Sequence, residues 1–275
     1  MVSYKNTRLP TLYIPHGGGP CFFMKEAFGP PGTWDKMEEH LRGLSAHIGQ
    51  IPKAILVISA HWEEDQPTIL TGANPALLYD YYGFPEHTYH LKYPAPGSPD
   101  VAARIGELLI NAGITTGTNP DRGFDHGVFI PFMLIYPEAQ IPIVQLSLRH
   151  DLDPAIHIDL GKALEPLRDE GVLIVGSGMS YHNLKGFFSQ STPKHTQDAF
   201  DFDEWLNHTI TEQSPDDRNQ QLISWKSAPG ALTSHPREEH LLPLMVTAGA
   251  AHENMGIKIY TDTVMGKPIS SFLFP

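Results

Sequence analysis

Residues 52–64, PKAILVISAHWEE, and residues 171–184, GVLIVGSGMSYHNL, each hold a β-branched apolar run of strand length, Ala54–Ser59 and Val172–Val175, bounded by turn residues. A histidine follows each run closely. Three more runs of this kind stand at Thr11–Ile14, Ile141–Leu146 and Ile257–Tyr260. Helical stripes lie between several of them. In Ser98–Ala112, Val101, Ile105, Leu108, Leu109 and Ala112 share one face, with Ser98 as N-cap and Pro99 at the first helical position. Asp153–Glu170 repeats the stripe through Ile156, Leu160, Ala163, Leu164 and Leu167. Pro166 bends it or shortens it, and Gly171 stops it. Strands alternating with helices predict an α/β fold in a single domain, its central sheet at least partly parallel. Residues 83–99, dense in Pro, Tyr and His, and the polar stretch 215–234 read as long surface segments within that domain.

Composition narrows the function classes. The chain has 275 residues, 41% of them hydrophobic and 18% charged, which suits a globular protein with a sizeable core. No uncharged run reaches the length of a membrane helix. With 19 Lys and Arg against 31 Asp and Glu, the net charge is −12, so nucleic acid and anionic membranes are repelled. One cysteine, Cys21, excludes a disulfide framework and any site built on several thiolates. The opening MVSYKNTRLP shows no leader, which leaves the cytoplasm as the expected compartment. The chain is rich in His, with 15, and in Gly and Pro, with 24 and 25; this suggests loops that carry imidazole ligands.

Three of those imidazoles stand at strand ends. His16 follows Thr11–Ile14 in IPHGGGP, His61 follows Ala54–Ser59 in ISAHWEE, and His182 follows Val172–Val175 in VGSGMSYHNL. The carboxyl ends of parallel strands form the ligand crevice of an open sheet, so these side chains are placed to converge on a divalent metal. A histidine after a strand is, taken singly, more often a hydrogen-bonded loop residue. Three in equivalent places bring the two readings level. His126, in GFDHGVFIPF, has Asp125 beside it as a possible orienting group, with Gly123 and Gly127 allowing close backbone approach. His240 begins an apolar, helical run in SHPREEHLLPL, and its neighbour Glu239 points about 100° away on a helix. His235, Glu238 and Glu239 otherwise form a solvated first turn. His87 and His90 read as surface residues of a loop.

Several hydrolase and nucleotide signatures fail. His16 and the glycines after it resemble an oxyanion loop, but no G-x-S-x-G elbow exists, nor H-E-x-x-H, a P-loop, or G-x-G-x-x-G after a strand. Cys21 near His16 lacks an orienting third group and reads as a small buried hydrophobe.

In this order, PHGGGP, SAHW, YDYYGFPEHTYHLKYPAPGSP, GFDHG, VGSGMSYHNL and REEHLLPL resemble the DOPA-dioxygenase-type branch of the class III, LigB-like extradiol aromatic ring-opening dioxygenases, from about residue 10 to 251. The resemblance implies one α/β domain with a central mixed sheet flanked by helices, and a mononuclear non-haem metal in a surface pocket. By position in the motifs, His16, His61 and His240 would hold the metal, with His182 a fourth ligand or the acid/base and Glu239 the other candidate for third ligand. His126 would contact substrate and assist proton transfer, and Tyr181, His235 and the aromatics of residues 79–84 would line the ring slot. The implied cofactor is Fe(II), with Zn(II) possible in isolated protein. The implied substrates are a catechol, DOPA or a relative, and O2. A zinc-dependent hydrolase and a non-catalytic metal-binding member of the superfamily are the alternatives.

Overall fold

The computed structural model describes residues 8–24, 29–188 and 192–275; residues 1–7, on which most of the leader reading falls, lie outside these. The chain runs β1 (Thr11–Pro15), α1 (Asp35–Ile48), β2 (Ala54–Glu64), β3 (Thr68–Leu70), α2 (Pro99–Asn111), β4 (Gly117–Asn119), α3 (His126–Ile135), β5 (Ile143–Arg149) and α4 (Pro154–Leu164). It continues with β6 (Val172–Gly178), α5 (Leu184–Phe188), α6 (Pro193–Thr211), α7 (Pro215–Ile223), α8 (Ala231–Ser234), α9 (Leu242–Ala250), β7 (Ile257–Val264) and β8 (Lys267–Phe274).

The strands form one mixed sheet in the order β4-β3-β5-β2-β6-β1-β8-β7. Its centre is parallel: β5, β2, β6 and β1 pair side by side in one direction. β8 then joins β1 antiparallel, and β7 closes that edge as a hairpin. Both faces of the central strands are covered, which is why they read as continuous apolar runs. Ile55 and Val57 face a core shared with Met37 and Leu41 of α1 and Phe129 of α3. Leu56 and Ile58 face the opposite core, with Leu160 of α4 and Met245 of α9. Each such side chain contributes about 1.5–3 kcal/mol by leaving water.

The two helices expected from their stripes form. Ser98 Oγ accepts from the Val101 amide at 3.4 Å and Pro99 opens α2. Asp153 caps α4 through the Ala155 amide at 2.8 Å, and the α-helix stops at Leu164, two residues short of Pro166, with a tighter turn over Glu165–Arg168. Other expectations shift. β5 starts at Ile143 rather than Ile141 because Pro142 has no N–H for the ladder; its carbonyl accepts from Ile55 instead. β2 runs on to Glu64 through a register shift between Ile58 and Glu63, so His61 lies within the strand's irregular end rather than beyond it. Residues 215–234 are not an open surface segment, since α7 and α8 fall inside them. Ser214 caps α7, Pro215 opens it, and buried Arg218 donates to the carbonyls of Ala248 at 2.8 Å and Asn254 at 2.6 Å behind α9. Among the described residues, no helix is long and apolar enough to cross a membrane.

Candidate metal centre

Neighbouring strand ends deliver the histidines. His16 leaves β1 into a turn in which Gly17 has φ +81°, and a side chain there would sit 2.6 Å from Cys21 Sγ. Cys21 itself is buried, and burial pushes its thiol far up, so it is the small hydrophobe expected and not a nucleophile. His61 comes from the irregular end of β2. His182 follows β6 and is tied by its amide to the Ser234 carbonyl at 3.0 Å. His240 precedes α9, where its carbonyl accepts from Tyr13 Oη at 2.7 Å and from the Met179 amide at 3.2 Å. Gly178 permits that approach, because a Cβ there would run into the His240 carbonyl. His126 begins α3, and Gly127 lets the helix start come close to His61: a Cβ at Gly127 would be 3.1 Å from His61 Cδ2.

The rings of His16, His61 and His240 form a near-equilateral triangle, with centroids 4.8, 4.9 and 5.2 Å apart. His126 lies 3.9 Å from His61, and His182 stacks on His240 at 3.3 Å. Candidate ligand atoms fall into two tight groups, His16 with His61 and His126, and His182 with Glu239 and His240, each within 4.8 Å.

The hydrogen bonds fix which nitrogens carry protons. Ser177 Oγ donates its one proton to the Gly127 carbonyl, so toward His16 Nδ1, 3.1 Å away, it can only accept. His16 therefore carries its proton on Nδ1 and has a bare Nε2. Glu239 Oε1 accepts from Nδ1 of His240 at 2.9 Å and faces Nδ1 of His182 at 3.2 Å. Asp80 Oδ1 accepts from Nδ1 of His126 at 2.8 Å, while Asp80 Oδ2 lies 3.8 Å from His61 Nδ1. Two carboxylates thus each stand behind two imidazoles. The bare Nε2 of His16 faces His61 Nε2 at 3.1 Å.

Electrostatics favour neutral rings. Burial, and after it the neighbouring imidazoles, hold His16, His61 and His240 well below the ordinary histidine range. Burial pushes the Asp80 and Glu239 carboxyls up, but their hydrogen bonds to His126 and His182 outweigh it and leave both lowered and ionised. The Nδ1–H groups of His16, His126 and His240 are held by Ser177, Asp80 and Glu239, and the bare Nε2 of His16 faces His61, an arrangement that suits a cation. A separation of 3.1 Å is also the edge made by two nitrogens each about 2.1 Å from one shared divalent ion. The donor set fits a mononuclear metal.

The centre opens into a cavity of about 710 Å³ whose walls include Tyr81, Tyr82, Phe84, Phe187, Phe188 and Arg237. Three placements differ from expectation. Tyr181 and His235 do not line this cavity: Tyr181 packs on Phe187 behind the wall, and His235 is fully buried between Phe202 and Trp225 with Nε2 donating to the Ser180 carbonyl at 2.9 Å. Asp125 does not orient His126. It accepts from Ser59 Oγ at 2.7 Å, Arg122 at 2.9 Å and Gln145, and Asp80 takes the role instead. The sequence offers one signal for Asp80, a lone acid among the tyrosines of YDYYGF. His87 and His90 are surface residues, bonded to the Phe23 carbonyl and to Glu86.

Imidazoles gathered at the carboxyl ends of β1, β2 and β6, with His126 and His240 beside them, fit a non-haem metal centre on an α/β sheet. Residues 10–272 match the model of the catalytic LigB subunit of aromatic ring-opening dioxygenase. The chain belongs to this family, and is an aromatic ring-opening dioxygenase, an oxidoreductase that incorporates oxygen. It is 40% identical to Dioxygenase tasH of Hapsidospora irregularis over 96% of this chain and 84% of the relative. It is 46% identical to the 4,5-DOPA dioxygenase extradiol of Beta vulgaris over 74% of this chain and 75% of the relative, and 42% identical to that of Portulaca grandiflora over 92% and 88%. A crystal structure of an uncharacterized Escherichia coli K12 protein superposes with a TM-score of 0.76 at 30% identity, covering 98% of this chain and 100% of the other.

Proposed function

We propose that this chain is a cytoplasmic extradiol dioxygenase which cleaves the ring of a catechol, DOPA or a related substituted catechol, and that residues 1–275 form one catalytic domain. The observation that carries the reading is the bare Nε2 of His16 held 3.1 Å from His61 Nε2, beside the ring of His240. These three residues hold the metal, and Glu239 serves behind them as a hydrogen-bond acceptor rather than as the third ligand. The metal is Fe(II), although Zn(II) can occupy imidazole sites in isolated protein. Bound there, iron supplies the electron path that lets O2 react with a closed-shell aromatic ring.

The remaining steps belong to side chains. His182, its Nδ1 facing Glu239, keeps Nε2 free to accept the proton of a catechol hydroxyl and later to return it to a cleaved oxygen. Its stack on His240 holds the ring in place for both transfers. His126, fixed through Nδ1 by Asp80, contacts the substrate and assists the transfer. Tyr81, Tyr82 and Phe84 form an apolar wall against which the ring stacks and from which water is displaced.

Protein loaded anaerobically with Fe(II) and mixed with L-DOPA and air is expected to consume one O2 per catechol and to form a yellow, ring-opened semialdehyde. If no catechol consumes oxygen with iron bound, the reading fails, and ester hydrolysis by zinc-loaded protein would replace it.

A further inference from the structure

We infer that Arg237 and Glu63 read the side chain of the catechol, and that together they select a tail bearing both a carboxylate and an ammonium group. This inference deepens the ring-cleavage reading and rests on it. Among the described residues, the cavity wall holds three carboxylates, Glu63, Asp80 and Glu239, and one fixed cation, Arg237. Asp80 and one oxygen of Glu239 are engaged with imidazoles. The guanidinium of Arg237 meets Glu63 fork to fork, with both contacts at 2.6 Å. Its side chain is 48% exposed, whereas that of Glu63 is 17% exposed. Arg237 therefore presents charge to the open cavity while Glu63 holds it in place.

Glu239 links this pair to the histidines. Its Oε1 accepts from His240, and its buried Oε2 lies 3.4 Å from Arg237 Nη1 in a second ion pair. The guanidinium is thus one carboxylate removed from His240 and His182 and lines the same cavity as their rings. A tail carboxylate there pairs with the exposed edge of Arg237, and a tail ammonium pairs with Glu63. A tail with only a carboxylate is attracted by Arg237 and repelled by Glu63, and one with only an amine is attracted by Glu63 and repelled by Arg237. The amino-acid head group complements both ends of the Arg237–Glu63 pair, whereas a tail with a single charge meets a like charge at one end.

The test compares four catechols on Fe(II)-loaded protein: L-DOPA, dihydrocaffeate with a carboxylate only, dopamine with an amine only, and neutral methylcatechol. Wild type is expected to favour L-DOPA. Arg237→Gln should lower the ratio of kcat/KM for L-DOPA to that for methylcatechol by about tenfold, mainly through KM. Arg237→Lys should restore part of that ratio. Glu63→Gln should lower the ratio for dopamine and raise it for dihydrocaffeate. Loss of rate on all four catechols in equal proportion in Arg237→Gln, or a wild type that turns over methylcatechol without favouring L-DOPA, would overturn the inference while leaving ring cleavage intact. Turnover of none of the four would overturn ring cleavage, and this inference with it.

Discussion

The proton on His16 Nδ1 determines the character of the centre. Ser177 has given its own proton to Gly127, so His16 must donate to it, and the opposite nitrogen is left bare toward His61. Ser177→Ala removes the acceptor that fixes this tautomer, and we expect metal affinity to fall by about 10–100-fold, measured by competition with a chelator. Asp80→Asn should lower turnover by a similar factor, because the side chain then has one acceptor oxygen for His126 and no charge beside His61. His16→Ala and His182→Ala should separate two roles. The first is expected to abolish metal binding, whereas the second should keep the metal and lose about 10²–10⁴ in kcat, read by metal analysis beside single-turnover rates. At this level the sequence was partly readable. His16, His61 and His182 announced themselves by following apolar strands, and His240 and His126 by their motifs. Asp80 did not, because it pairs with a histidine 46 positions further along the chain and sits in a loop without periodicity. Asp125 misled for the opposite reason: adjacency to His126 in sequence says nothing about direction, and its carboxylate turns toward Ser59 and Arg122.

Elements place those residues, and two close approaches bear the stress. Gly178 at the end of β6 lies against the His240 carbonyl, and Gly176 lies against the Pro243 carbonyl at the start of α9. Gly178→Ala should destabilise the fold by about 1–3 kcal/mol in denaturant melts and also reduce metal occupancy, since the His240 loop must retreat. A second test concerns α1 against β7. His40 stacks on Tyr260 at 4.6 Å, and burial, then His47, pushes its imidazole down from 6.5 to about 4. The unfolded chain takes up this proton near 6.5 and the folded chain only near 4, so the stability that depends on neutral His40 is complete above 6.5 and is lost as pH falls toward 4. His40→Phe keeps the stack and removes the titration. Melting temperatures of wild type and variant should therefore diverge across that window, with wild type losing more. The central strands and the capped helices α2 and α4 were readable because burial on both faces and N-cap chemistry are local patterns. β3 and β4 were not, being three residues each, and β8 hides behind Ser270 and Ser271, whose buried hydroxyls are satisfied by partners far along the chain.

In the molecule as a whole, the mixed sheet brings β1, β2 and β6 side by side, so that stretches more than a hundred residues apart contribute to one cage. That adjacency follows from which strands pair, and the parallel register of β1 and β2 with β6 sets the height of each histidine. Because the cage forms only on folding, a bound ion stabilises the native state by mass action, about 2.7 kcal/mol at a hundredfold excess over Kd. Chelation should accordingly lower Tm by several degrees for a chain of this size. The decisive measurement is anomalous diffraction at the iron edge from crystals grown anaerobically with Fe(II). One peak bonded to Nε2 of His16, His61 and His240, with Glu239 outside bonding distance, is the expected result. No peak among these rings, or an ion held by Glu239 in place of His240, would contradict the assignment.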